Sequence, residues 1–356
     1  MPLLPLLAIA ALVSLVSSGV LLLLGHSSPQ LAAHIAFALG VLPLILAAMA
    51  YFVPVLTRSA GAGTAAWGPP LLAWLGGALA VFTFASDFSQ FRLNIAAILG
   101  GIAAIWLVGW TLSRARRMFG PRHRGLDWYL AALGFLILAL LAVLLIPLFP
   151  EHRGALRLFH LHTNLLGFVG LTALGTLQVL LPTCLGQGDP GAAIRLRLDL
   201  KWAVTGSLMI AIGASFFATP TMSKFGPILL LLGAVFYAGV VLRMLGAWIF
   251  RFGRILSQPH GAAPSLIAAT LGLLGLLIFG VAHGFGWLQP RPAVAGFVIA
   301  FLLPLVSGAA AHLLPVWLRP GQQGPWHTAL RARTCRWGGV RGLLLLLFGL
   351  AITVAL

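Results

Sequence analysis

Along nearly its whole length the chain repeats one pattern: an apolar run about as long as a bilayer is thick, then a short polar break. A hydrocarbon core of about 30 Å takes roughly 20 residues of helix but only about 9–11 of tilted strand. Runs of this length therefore read as helices, whose backbone polar groups are all satisfied within the segment. Cutting the 356 residues at the breaks gives eleven spans, at about 2–25, 31–56, 69–86, 92–113, 127–149, 158–184, 201–219, 227–250, 264–288, 292–318 and 338–356. Charged residues make up only 8% of the chain, against about 25% in a soluble domain. The fold class expected is thus all-α: a polytopic membrane helix bundle forming a single membrane domain over 1–356. The first run lacks a basic leader and is long for the core of a signal peptide, so it reads as the first membrane helix.

The net charge of +17 is unevenly placed. Breaks after even-numbered helices hold sixteen of the basic residues: Arg58; Arg114, Arg116, Arg117, Arg122 and Arg124; Arg195, Arg197 and Lys201; Arg251 and Arg254; Arg319, Arg331, Arg333, Arg336 and Arg341. Breaks after odd-numbered helices hold five, namely Arg92, Arg153, Arg157, Lys224 and Arg291. Basic loops stay on the cytoplasmic side, so the N-terminus is expected inside and the last helix to end outside, in the inner (plasma) membrane. Contact with anionic lipid accounts for the charge without nucleic acid. Cys184 and Cys335 both fall on the cytoplasmic side, where a structural disulfide is not expected.

Three segments share a register: "HIAFALGVLPLILAAMAYFVPVL" from His34, "HTNLLGFVGLTALGTLQVLLPTC" from His162, and "AVAGFVIAFLLPLVSGAAAHLLPVW" from Ala293. Pro54 follows His34 by 20 positions and Pro182 follows His162 by 20; the same count back from Pro315 reaches Ala295. These are the second, sixth and tenth helices. The chain therefore reads as internal repeats at 1–120, 121–258 and 259–356, a 4+4+3 pattern whose last block is one helix short.

Six of the ten histidines, His26, His34, His152, His160, His162 and His283, fall at the expected outer ends of helices or in the turns between them. Neutral imidazole is a common ligand of transition metals and haem iron, and it is costly in lipid without a partner. A pseudo-threefold array would bring His34 and His162 round one axis. Residues two apart on a helix point about 200° away from each other, so His160 and His162 are not read as one chelating pair. Asn164 would orient an imidazole or cap the helix start. Gly167, Gly170 and Gly175 serve either close helix packing or the admission of a flat macrocycle.

Histidine at the start of the second helix of the first two blocks, then a glycine-rich helix ending in V-P or L-P, resembles subunit I of the haem-copper oxidases. It also resembles the NnrS family of membrane proteins, associated with haem, copper and the response to nitric oxide. The resemblance implies a pseudo-threefold helix array and haem b or copper bound through His34 and His162, with His26, His152, His160 and His283 in reserve. Respiratory or electron-transfer subunits would then be partners, with membrane lipid. Two departures limit it: helix 7, "KWAVTGSLMIAIGASFFAT", lacks the copper-binding histidine pair, and helix 10, "RPAVAGFVIAFLL", lacks the H-x-H for two haems. The five acidic residues, Asp87, Asp127, Glu151, Asp189 and Asp199, fall in loops or at the ends of the expected helices. No mid-membrane carboxylate is then expected to relay protons, and oxygen reduction with pumping is not expected.

The literal G-x-G-x-x-G at Gly186–Gly191 follows a membrane helix rather than a strand and reads as a turn. The expected function is a haem- and/or copper-binding integral membrane protein of respiratory or nitric-oxide-linked physiology. The alternative is a non-redox transporter or assembly factor for metal, haem or a respiratory complex.

Overall fold

Each apolar run of the sequence folds as a helix. The structure, a computed structural model, describes residues 3–25, 27–256, 258–289 and 293–355, with backbone alone for 254–256. Among the described residues there is no strand, and ten helical segments are long and apolar enough to cross a bilayer. The protein is an integral membrane protein by that measure. We label the helices α1 (Leu3–Leu24), α2 (Pro29–Leu56), α3 (Thr64–Ala85), α4 (Gln90–Arg116), α5 (Gly125–Leu145) and α6 (Pro150–Cys184). There follow α7 (Ala192–Phe216), α8 (Gly226–Leu256), α9 (Ala263–Gly284), α10 (Ala293–Leu318), α11 (Pro325–Thr334) and α12 (Gly338–Ala355). The tenth candidate span, Pro325–Ala355, comprises α11 and α12. The break between them holds Trp337 at φ 58°.

Helix α7 departs from expectation. It has 25 residues but is not among the ten apolar spans, because its first half carries Arg195, Arg197, Asp199 and Lys201. Asp199 lies inside this helix and is 1% exposed, whereas the sequence reading puts it before the span begins. Helix α6 likewise starts at Pro150 rather than near 158, so His162 stands well inside a helix instead of at its mouth.

The chain forms two compact units: residues 1–36, 177–190 and 241–356 in the first, 37–176 and 191–240 in the second. Lipid tails are as apolar as leucine, so helices in a membrane associate through close packing of small residues rather than through hydrophobic burial. In the second unit the clearest case joins α7 to α8. A Cβ on Gly206 would stand 2.8 Å from the Gly233 carbonyl oxygen, and one on Gly233 2.7 Å from that of Gly206. Seven residues along, Gly213 meets the Gly226 carbonyl in the same way at 2.9 Å. Two antiparallel helices thus touch backbone to backbone at glycines spaced one heptad apart. In the first unit Gly272 of α9 and Gly349 of α12 both close on Ala300 of α10, and Ser265 of α9 donates to the Pro304 carbonyl at 2.9 Å.

Three helices contain a stretch of π-helix: Ile35–Val41 in α2, Thr163–Gly170 in α6 and Phe297–Leu302 in α10. Each begins one or two residues after the register position marked by His34, His162 and Ala295. In α2 and α10 a proline follows almost at once, Pro43 and Pro304. A proline inside a helix removes one N–H and crowds the carbonyl four residues back. The wider π turn relieves that crowding, and such turns often accompany functional sites. In α6 the corresponding residue is Leu171, and the π turn is instead tied by a neighbour: Tyr237 of α8 donates to the Leu166 carbonyl at 3.0 Å.

Candidate functional site

The candidate ligands are described within their own units, His34 and His283 in the first and His152, His160, His162 and Asn164 in the second. His26 lies outside the described residues.

Four imidazoles share one feature. Nδ1 of His34 lies 2.7 Å from the Gln30 carbonyl oxygen, that of His160 2.9 Å from Ala139, that of His162 2.9 Å from Leu158, and that of His283 3.0 Å from Leu288. A carbonyl oxygen only accepts, so in each ring Nδ1 carries the proton and donates. Nε2 is then the nitrogen with the lone pair in the ring plane. Metal-ligating histidines commonly take this arrangement, the backbone bond fixing tautomer and orientation. His34 and His162 each bond the carbonyl four residues back, so these register mates share one local geometry.

His160 and His162 use different surroundings. Helix α6 runs unbroken through both, which turns them to different sides. His160 reaches across to the Ala139 carbonyl of α5, whereas His162 bonds within its own turn. Asn164 is drawn to His160: its Nδ2 donates to the His160 carbonyl at 2.9 Å and lies 3.3 Å from Nδ1 of that ring. Since that Nδ1 donates to Ala139, the carbonyl bond is the one Asn164 makes. Asn164 therefore steadies the turn carrying His160. Thr163, fully buried, adds a bond from its hydroxyl to the Phe159 carbonyl at 2.6 Å.

His152 and His283 are exposed. The nearest acid to His152 is Glu151, 3.7 Å away and equally open to solvent. Among the described residues no three histidine, cysteine, aspartate or glutamate side chains gather in one cluster.

The glycines of α6 are filled by protein. A Cβ on Gly167 would strike the Phe135 ring, one on Gly170 the Tyr237 hydroxyl, and one on Gly175 would come within 2.6 Å of the Trp128 Cβ. Trp128 is itself fixed by a bond from Nε1 to the Leu196 carbonyl at 2.8 Å. This face is helix packing and leaves no slot for a macrocycle. The imidazole donors thus fit a transition metal or haem iron, while the glycine face does not fit a porphyrin.

Gln178 was not among the residues expected at the site. Its side chain is fully buried, and neither its oxygen nor its nitrogen has a partner among the described residues. A polar residue within an apolar helix was the signal; its lack of a partner is visible only in three dimensions.

No protein-family model, curated protein or solved structure matches the chain.

Proposed function

We propose that this is an integral membrane protein that binds haem b or copper through the imidazole Nε2 of His34 and His162, with His160, His283, His152 and His26 as further donors. The observation that carries this reading is the shared Nδ1–H to carbonyl bond, which presents the lone pair at Nε2. Bound there, the metal would supply redox or ligand-binding chemistry. The chain's own part is to fix two rings in the tautomer a metal requires. His160 and Asn164 belong to the α5–α6 contact.

On this reading the chain is a relative of oxidase subunit I or of the NnrS-like proteins, with eleven spans in a 4+4+3 pattern and α7 as the seventh. It lies in the inner membrane with its N-terminus cytoplasmic and the histidines outside. The π stretches at one register in α2, α6 and α10 support that repeat. The glycine contacts of α7 with α8 support α7 as a spanning partner despite its charges. Its role would be respiratory or linked to nitric oxide, with electron-transfer subunits as partners.

The second reading, a non-redox transporter or assembly factor, draws on the absence of a three-ligand cluster among the described residues. Haem and copper content of the purified chain separates the two. Stoichiometric haem or copper supports the first; a folded chain that takes up neither from haem or copper salts overturns it. Where haem is bound, nitric oxide and oxygen consumption then distinguish enzyme from carrier.

A further inference from the structure

In the first unit the only two cysteines of the sequence come together. Cys335, 8% exposed, lies in the break between α11 and α12 and packs with Ala262 and Ala311. Cys184, the last residue of α6, packs against that same cluster. Neither is in a disulfide. The break is held by several backbone bonds: the Cys335 carbonyl accepts from Gly261 at 3.0 Å and from Gly338 at 3.1 Å, and Nδ1 of His260 accepts from the Trp337 N–H at 3.1 Å. Thr334 donates to the Ala311 carbonyl at 2.7 Å. The Cys335 thiol is thus carried on a turn tied by backbone hydrogen bonds.

The charges around them are one-sided. Arg331 is within electrostatic reach of both sulfurs, and Arg341 is within reach of Cys335. Arg331 spends its donors on the His312 carbonyl at 3.3 Å and the Gln323 side chain at 2.8 Å. Arg341 does not: its Nε and Nη2 are buried and have no partner among the described residues. A guanidinium with two buried, idle donors lacks an anion on that side.

We propose that Cys184 and Cys335 form a two-coordinate site for a soft monovalent metal ion of the Cu(I) class, with Arg341 as its counter-charge. Thiolates favour Cu(I), and two suffice for linear coordination. The step is Cu(I) plus two thiols giving a bis-thiolate complex of charge −1 and two protons, with no change of oxidation state. A disulfide would be neutral and leave Arg341 as it is, so the idle guanidinium favours the metal complex. This proposal uses none of the candidate histidine ligands and stands or falls without them.

The test is Cu(I) titration of the full chain in detergent under strictly reducing, oxygen-free conditions, against a chromophoric Cu(I) chelator. The wild type is expected to withdraw one equivalent that Cys184→Ser and Cys335→Ser both fail to withdraw. Arg341→Gln should weaken binding by about tenfold or more, the worth of a charge-assisted bond. A readout that needs no variant is thiol alkylation of the wild type: one equivalent of Cu(I) should protect both cysteines together. Equal withdrawal by wild type and the Cys184→Ser/Cys335→Ser double variant, or alkylation unaffected by Cu(I), would overturn the proposal, as would recovery of the pair as a disulfide that takes no metal.

Discussion

Replacing Gly233 by alanine puts a methyl group into a contact that has no room for it. The new Cβ would lie 2.7 Å from the Gly206 carbonyl oxygen, 2.8 Å from the Ile210 nitrogen and 2.9 Å from the Ile210 side chain. Two of these are backbone atoms that cannot rotate away, so α7 and α8 must separate by about half an ångström. A gap of about 0.5–1 Å forfeits a quarter to a half of each van der Waals well; overpacking of this kind costs about 1–3 kcal/mol. Gly239, on the same helix with nothing within 4 Å of its would-be Cβ, is the control. There alanine gains helix propensity of up to about 1 kcal/mol. All three variants gain that propensity, so the expected result is that Gly233→Ala and Gly206→Ala each lie about 1–3 kcal/mol below Gly239→Ala in unfolding free energy, the overpacking cost alone. Reversible denaturation in mixed detergent micelles, followed by tryptophan fluorescence, reads this difference. If both variants fall within about 0.5 kcal/mol of the control, the backbone contact between α7 and α8 is refuted.

Tyr237→Phe removes the bond to the Leu166 carbonyl in the π turn of α6 and should cost about 0.6–1.5 kcal/mol in the same assay. Because the Tyr237 hydroxyl fills the space beside Gly170, Gly170→Ala should be less costly in the Tyr237→Phe background than alone; equal costs would contradict that packing. His123, in the loop before α5, accepts from the Gly125 N–H at 3.0 Å, and burial, then the Arg58 charge, lowers its pKa. The unfolded chain binds that proton more readily, so the contribution is complete above the free value of about 6.5 and is lost as pH falls through it towards the folded value. His123→Asn, compared with the wild type across pH 5–8, should remove this part of the acid destabilisation.

The helices were legible because hydropathy over about 20 residues is a strong signal; the expected breaks at 57–68, 185–200 and 319–337 begin where α2, α6 and α10 end, but they take in the first turn of α3, the charged start of α7 and the short α11. The π stretches were not legible as such. A shift of one residue in backbone pairing leaves hydropathy unchanged, and only Pro43 and Pro304 hint at it. The charges of Arg195, Arg197, Asp199 and Lys201 look like a loop, yet their long side chains and helix-forming neighbours let α7 run through them. Asn164 was expected to orient an imidazole or to cap the helix start; the structure couples it to the backbone of His160, because i to i+4 neighbours share a helix face. The opposite facing of His160 and His162 followed from helix geometry alone, whereas the carbonyl each ring finds depended on α5 and on the local turn.

On the proposed function the fixed imidazoles are ligands rather than packing groups. Replacing His162 by glycine deletes the ring and leaves space for free imidazole to take its place. The measurement is the optical spectrum and copper content of the purified wild type, His34→Gly and His162→Gly, with and without added imidazole. A haem Soret band or bound copper is expected in the wild type, lost in each variant and restored by imidazole. A folded wild type that holds neither, or variants that keep the full complement, would contradict it.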